Sequence, residues 1–337
     1  MEKALAIQKQ VIEILGTDEV YLVGGSVRDV VMGNEPKDYD FTTSMLPDDI
    51  EAKVKEAGRK SYAIGKKFGT IGFKVPYVVT VNEEYYSEED EVNEEYWSEK
   101  TVYEYVEVTT FRSEVYTNKS RKPEVQFVPS LDEDLARRDF TMNAMVLRPD
   151  GTIYDPYGGK LHIHSKQIVT VGNDKDRIQE DPLRMLRAAR FAARYGFTID
   201  PNFIGKARQL ADRIYDVSVE RWVQELDKLL MSKHRDTGIL ELQKMGLLVR
   251  ILPEMALVLD IYPEFEGVEF FVPDIEYTVD EAWRQLLGWN GLSFIDKPNV
   301  SRNKLTNYIN VGVSQRLKFS NERTDIILDN HKKKKVE

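Results

Sequence analysis

Residues 20–40 read Val20-Tyr21-Leu22-Val23-Gly24-Gly25-Ser26-Val27-Arg28-Asp29-Val30-Val31-Met32-Gly33-Asn34-Glu35-Pro36-Lys37-Asp38-Tyr39-Asp40, and the order of elements within them decides the fold. The apolar run Val20–Val23 predicts a short strand, the paired glycines a tight turn, and the segment up to Gly33 a helix. A turn of that kind aims backbone N–H groups and a helix N-terminus at one spot, which suits a polyphosphate. Asp38 and Asp40 stand two apart in what reads as a second strand, so both carboxylates project from one face. Side-by-side carboxylates repel unless a cation lies between them. A phosphate cradle beside a Mg2+ site is the minimum apparatus of nucleotidyl transfer.

Taken singly, a Gly-Gly is an ordinary turn and an Asp-x-Asp an ordinary solvated loop. Together, the run Gly24-Gly25-x-Val27-Arg28-Asp29 with Asp38-x-Asp40 resembles the head domain of the polymerase β-like nucleotidyltransferases. More narrowly it resembles the class II tRNA nucleotidyltransferase (CCA-adding enzyme)/poly(A) polymerase family, bacterial type. Three further blocks carry the resemblance. In Val106-Glu107-Val108-Thr109-Thr110-Phe111-Arg112, strand alternation puts Glu107 on the face opposite Val106 and Val108. An isolated case would be a surface glutamate; in this company it is expected to be a third carboxylate, binding metal or drawing a proton from an attacking hydroxyl.

The second block, Asp134-Leu135-Ala136-Arg137-Arg138-Asp139-Phe140-Thr141-Met142-Asn143-Ala144, matches the family's Arg-Arg-Asp-Phe-Thr-x-Asn-Ala pattern, although Asp139 by itself reads as a helix cap. The third is Glu180-Asp181-Pro182-Leu183-Arg184-Met185-Leu186-Arg187-Ala188-Ala189-Arg190. As plain structure, Asp181 is an N-cap, Pro182 a first helical residue, and the arginines a solvated face. Yet Asp181 and Arg184 are neighbours on a helix start, one accepting hydrogen bonds and the other donating them. Cytosine and adenine each offer an exocyclic amine beside an unprotonated ring nitrogen, whereas uracil and guanine offer the opposite polarity. Such a pair fits C and A and rejects U and G.

The resemblance spans residues 20–255 and implies roles for particular residues. Asp38, Asp40 and Glu107 would be catalytic, with Asp38 and Asp40 binding Mg2+. Gly24, Gly25, Arg28, Arg138, Asp181, Arg184, Arg187 and Arg190 would bind the nucleotide. The implied fold is α+β: a polymerase β-like head with a mixed sheet over 1–160, an all-helical neck over 161–232 that carries the nucleotide-selecting helix, and a helical body with a shortened tail over 233–337. The implied activity is addition of C, C and A to the 3′ end of tRNA from CTP and ATP, by attack of the RNA 3′-hydroxyl on the α-phosphate. Poly(A) polymerase, CC- or A-adding specialists and a non-catalytic tRNA-binding module stay open as alternatives.

Composition bounds the rest. The 337 residues include no cysteine, which excludes disulfides and thiolate metal sites. Four scattered histidines give no zinc spacing. No apolar run is long enough to span a membrane, and Met1-Glu2-Lys3 opens an amphipathic segment, so a cytoplasmic protein is expected; the number of subunits stays open. The net charge of −10 is unusual for a binder of nucleic acid, but residues 81–100 alone carry −8 of it. That block reads as a solvated hairpin tip inserted between two strands. The near-neutral remainder argues against a polymerase that grips generic RNA by its phosphates. Arg112–Pro123, with Tyr116 and Arg121, resembles the flexible loop of full CCA-adding enzymes, with Asn118 where an Asp is usual. Leu286–Pro298 lacks the His-Asp pair of relatives with phosphohydrolase activity, and Lys332–Lys335 form a basic patch.

Overall fold

A computed structural model describes residues 1–63, 65–86, 93–115, 124–253, 276–288, 316–320 and 322–324. The loop at 116–123, the tip of the acidic block at 87–92, residues 289–298 and Lys332–Lys335 lie outside the described residues. The chain divides into two compact units, Met1–His164 and Ser165–Glu337. Among the described residues, no helix is long and apolar enough to cross a membrane.

The first unit opens with α1 (Glu2–Leu15), β1 (Val20–Val23), α2 (Gly25–Val31), β2 (Tyr39–Thr43), α3 (Pro47–Glu56) and β3 (Ser61–Tyr62). A long hairpin follows, β4 (Thr70–Tyr86) and β5 (Asn93–Thr110), then β6 (Arg112–Val115), β7 (Glu124–Phe127), α4 (Leu131–Ala136), β8 (Val146–Leu147), β9 (Ile153–Tyr154) and α5 (Gly159–His164). Seven strands form one mixed sheet in the order β3-β4-β5-β2-β1-β8-β9, in which β2 and β5 run parallel and the other pairs antiparallel. Alternation sorts the two faces. Leu22, Phe41, Ile71, Phe73, Val106 and Val108 share the buried one, where the apolar stripe Ala4, Ile7, Val11 and Leu15 of α1 packs against β1 and β4. The intervening positions, Asp40 and Glu107 among them, point the other way.

Within the acidic block, the structure corrects the expectation of a mere hairpin tip. Residues 81–86 and 93–100 are paired strand, with register from Val81↔Ser98 out to Tyr86↔Asn93. The glutamates conceal a period-2 pattern of Val, Thr, Tyr and Trp that suits a two-sided ribbon. β3 pairs with β4 at Gly72–Phe73 and β2 with β5 over 106–110, so among the described residues no third strand pairs with the outer ribbon, and Val78 and Trp97 are exposed. None of its side chains that the structure describes is buried. Joining the register partners Thr80 and Glu99 through a two-residue turn is therefore expected to leave melting temperature and turnover unchanged. RNA binding should tighten at low salt, because net negative charge is removed. Loss of turnover in a well-folded trimmed chain would give the outer ribbon a working role in the reaction.

The second unit is largely helical: β10 (Gln167–Ile168), α6 (Asp174–Glu180), α7 (Leu183–Tyr195), β11 (Thr198–Ile199), α8 (Pro201–Gln209), α9 (Val219–Leu230), α10 (Arg235–Lys244), α11 (Leu248–Ile251) and a further helix at Val279–Gly288. Its centre is α7, packed against α9 and α10 with Met185, Ala188, Ala189, Ala192 and Ala193 fully buried. The run of alanines permits close helix approach. Gly238 of α10 lies where a Cβ would come 2.8 Å from the Ala193 side chain.

Candidate active site

Within the first unit, β2 and β5 set Asp40 directly beside Glu107 in parallel register. Neighbouring parallel strands lie about 4.8 Å apart, so the two side chains rise together from the open face. Val106 and Val108 are buried on the opposite face, which fixes the side on which Glu107 emerges. Asp38 stands one residue ahead of β2 and is exposed. Ser26, in the first turn of α2, ties the glycine turn to this segment. Its hydroxyl donates to the Asp38 carbonyl at 2.8 Å and accepts from the Asp40 amide at 3.2 Å.

The three carboxylates feel one another. Burial, then Glu107, then Asp38 push the Asp40 carboxyl up to about 6, and Arg138 opposes them. Among the described residues, no three Asp, Glu or His side chains close into a ready-made metal cage. Nevertheless, the donors are all oxygen, and their mutual repulsion is what a hard divalent cation relieves. With metal removed by a chelator, Asp40 binds its proton more tightly in the folded chain than at the ordinary value of 3.8. Its contribution to stability is then full below about pH 4 and declines as pH rises through about 6. Urea titrations across that window are expected to show the decline in wild type and its absence in Asp40→Asn. Equal slopes would mean that Asp40 is not strained by its neighbours.

Two arginines lean over the glycine turn. Gly24 has φ +72°, and a Cβ there would sit 3.1 Å from Arg138 Nη1; one on Gly25 would sit 3.1 Å from Arg28 Nη2. Arg28 is 5 % exposed and donates to Asp29 Oδ1 at 2.9 and 3.0 Å and to Asn143 Oδ1 at 2.7 Å. Asn143 in turn donates to Asp139 Oδ1 at 3.0 Å, an oxygen that also accepts from the Phe140 amide. Asp139 thus braces a short 3-10 turn, Thr141–Asn143, rather than capping an α-helix. Arg138 donates to Asp134 Oδ2 at 3.0 Å, and Arg137 to Asp134 Oδ1 at 2.7 Å. Burial works against the Asp134 charge, but the two guanidiniums hold its carboxyl below the usual range.

Ser26, Asp134 and Asn143 were not expected at the site. Asp134 was legible, since it falls three and four residues before Arg137 and Arg138, a spacing that brings side chains together at a helix end. Ser26 carries no local signal, because its partner lies 12 residues away, and Asn143, although it stands in the second block, gives no sign of its bond to Arg28, 115 residues away.

In the second unit, Asp181 holds the start of α7. Its Oδ1 accepts from the Leu183 amide at 3.1 Å, and its Oδ2 accepts from Arg221 Nη2 at 3.1 Å. Arg184 is buried and donates to Glu180 Oε2 at 3.0 Å and to the Arg177 carbonyl at 3.2 Å. Arg187 faces Glu225 at 3.9 Å, and Arg190 makes a buried ion pair with the same carboxylate while its guanidinium stacks 4.0 Å over Phe191. The structure therefore groups Gly24, Gly25, Arg28, Asp38, Asp40, Glu107 and Arg138 in one unit. It sets Asp181, Arg184, Arg187 and Arg190 along one helix of the other.

Residues 20–169 match the poly A polymerase head domain, and residues 196–259 match the probable RNA and SrmB-binding site of polymerase A. The CCA-adding enzyme of Bacillus subtilis (strain 168) is 39 % identical over 232 residues, covering 68 % of this chain and 50 % of the relative. The chain spans about half the length of the curated relatives it matches. Among solved structures, the Bacillus stearothermophilus CCA-adding enzyme in complex with CTP aligns with a TM-score of 0.57 and 28 % identity, over 98 % of this chain and 78 % of that one. A CCA-adding enzyme in apo form II aligns with a TM-score of 0.62 over 97 % and 81 %; at 20 % identity it shows likeness of fold alone.

Proposed function

The chain belongs to the tRNA nucleotidyltransferase/poly(A) polymerase family, and on that premise we propose that it adds C, C and A to the 3′ end of tRNA from CTP and ATP, without a nucleic-acid template. The observation that carries the proposal is the register pair Asp40↔Glu107, with Asp38 at its edge and Arg138 acting on its charge. A surface that merely bound RNA would gain nothing from carboxylates crowded against one another, since RNA is itself an anion. In this scheme residues 1–160 serve as head, 161–232 as neck, and 233–337 as body and tail.

Asp38 and Asp40 are the residues that would hold the cation, Mg2+ in this proposal. Bound there, it would polarise the α-phosphate and neutralise charge on the departing pyrophosphate. Glu107, exposed beside Asp40, accepts the proton of the RNA 3′-hydroxyl as that oxygen bonds to the α-phosphorus and pyrophosphate leaves. Arg138 and Arg28 bring positive charge to the glycine turn that receives the triphosphate. Asp181 supplies an acceptor and Arg184 a donor for the base edge, which admits C and A alone. The neighbouring ion pairs of Arg187 and Arg190 with Glu225 stiffen the helix that presents them.

Labelled CTP and ATP, but not UTP or GTP, should be incorporated into tRNA trimmed of its 3′ end. A chelator should stop the reaction and Mg2+ restore it. Incorporation of all four nucleotides alike would contradict the proposal, as would incorporation that survives chelation.

A further inference from the structure

The open face of the sheet carries aromatic rings beside the carboxylates, where a solvated strand face ordinarily carries polar side chains. Register aligns Tyr62 with Gly72, Gly72 with Glu107, and Glu107 with Asp40, so four adjacent strands contribute one row. Gly72 leaves a gap in that row, and the Tyr105 ring fills it. A Cβ on Gly72 would overlap the Tyr105 hydroxyl and come 2.6 Å from its Cζ. Tyr62 meets this ring edge-on, with centroids 5.9 Å apart and planes at 64°. The Tyr105 hydroxyl reaches Glu107 Oε1 at 3.4 Å.

Cations rim the rings. Lys60 Nζ lies 5.3 Å from the Tyr62 centroid, and Lys74 is the exposed register partner of Tyr105. Tyr105 remains 44 % exposed, so core packing does not account for its position. Acidic residues on this face of β5 resume only at Glu99, eight residues beyond Glu107 and roughly 26 Å away at ~3.3 Å per residue. Glu104 lies on the other face, paired with Lys3 at 2.8 Å.

We propose that Tyr105 and Tyr62, seated by Gly72 and rimmed by Lys60 and Lys74, form a ledge on which an unpaired nucleobase of the RNA 3′ end stacks beside the carboxylates. This rests on the function proposed above and names how the primer is held. An end that changes base after each addition needs a seat indifferent to base identity. Ring stacking meets that need, because every base has a π-face. The lysines neutralise the flanking phosphates.

Equilibrium binding of a short single-stranded RNA ending in a 3′-deoxy residue, measured on the full chain without chemistry, tests the ledge. Tyr105→Ala is expected to weaken binding roughly tenfold or more, and Tyr105→Phe to restore it. Gly72→Ala should reproduce the loss at unchanged melting temperature, since the obstructed group is the far end of a side chain that can swing aside. CTP and ATP affinities should stay as in wild type. RNA affinity that ignores both substitutions would overturn the ledge, as would a loss confined to CTP and ATP. A wild-type chain that binds the oligonucleotide through Tyr105 but adds no nucleotide to tRNA would instead overturn the proposed function and leave the ledge standing.

Discussion

Asp40→Ala is expected to lower kcat/KM for CTP by about three orders of magnitude or more, equivalent to roughly 4 kcal/mol of lost transition-state stabilisation. The fold should survive. Asp40 is a half-buried carboxylate whose ionisation is disfavoured by burial, by Glu107 and by Asp38, so alanine relieves a strain rather than removing a support. Asp38→Ala and Glu107→Ala should behave alike, each removing an exposed side chain that no core contact needs. Steady-state kinetics alongside thermal melts separate chemistry from folding. An Asp40→Ala protein within tenfold of wild-type turnover would remove Asp40 from the reaction. A collapsed melt would make it a structural residue.

The second large effect concerns base choice. Asp181→Ala should let UTP and GTP compete with CTP, because a pocket built for particular polar partners rejects bases that leave them unpaired, at roughly 1–3 kcal/mol for each mismatch. That is a shift of about five- to 150-fold in relative kcat/KM. The structure sharpens the control, since the two carboxylate oxygens have separate duties: Oδ1 caps α7, and Oδ2 meets Arg221. Loss of the cap alone lowers stability by about 1 kcal/mol and leaves selectivity untouched. Asp181→Asn keeps an acceptor for the cap while turning the other position into a donor. Relaxed selectivity with a near-normal melt in Asp181→Asn therefore assigns the base edge to this residue. A lowered melt of Asp181→Ala with unchanged selectivity would assign it to the cap.

Local pattern carried much of the architecture. The strand, glycine turn and helix at 20–31 form as their sequence predicts, and the helix expected from Pro182 forms as α7 one residue later, at Leu183. In each case the periodicity and the breaking residues agree. What was not legible is long-range pairing. Nothing near Asp40 announces that its neighbour is Glu107, since the parallel β2–β5 pair is closed through an intervening helix and a hairpin. The buried Arg190–Glu225 pair joins residues 35 apart, so a solvated arginine stripe and a buried clamp look alike in sequence. The ribbon was hidden for the opposite reason. Its glutamates suggested solvent, while the pattern that pairs Asn82 with Trp97 was too diluted by charge to read as strand.

The most direct test of C- and A-specific addition is to incubate the chain with CTP, ATP, Mg2+ and tRNA lacking its 3′ terminus, and to sequence the products. The expected product ends in C, C and A and stops there, and with CTP alone it stops after two C residues. Long A tracts on any RNA offered, ends carrying only C or only A, or unextended tRNA in a well-folded preparation would contradict it.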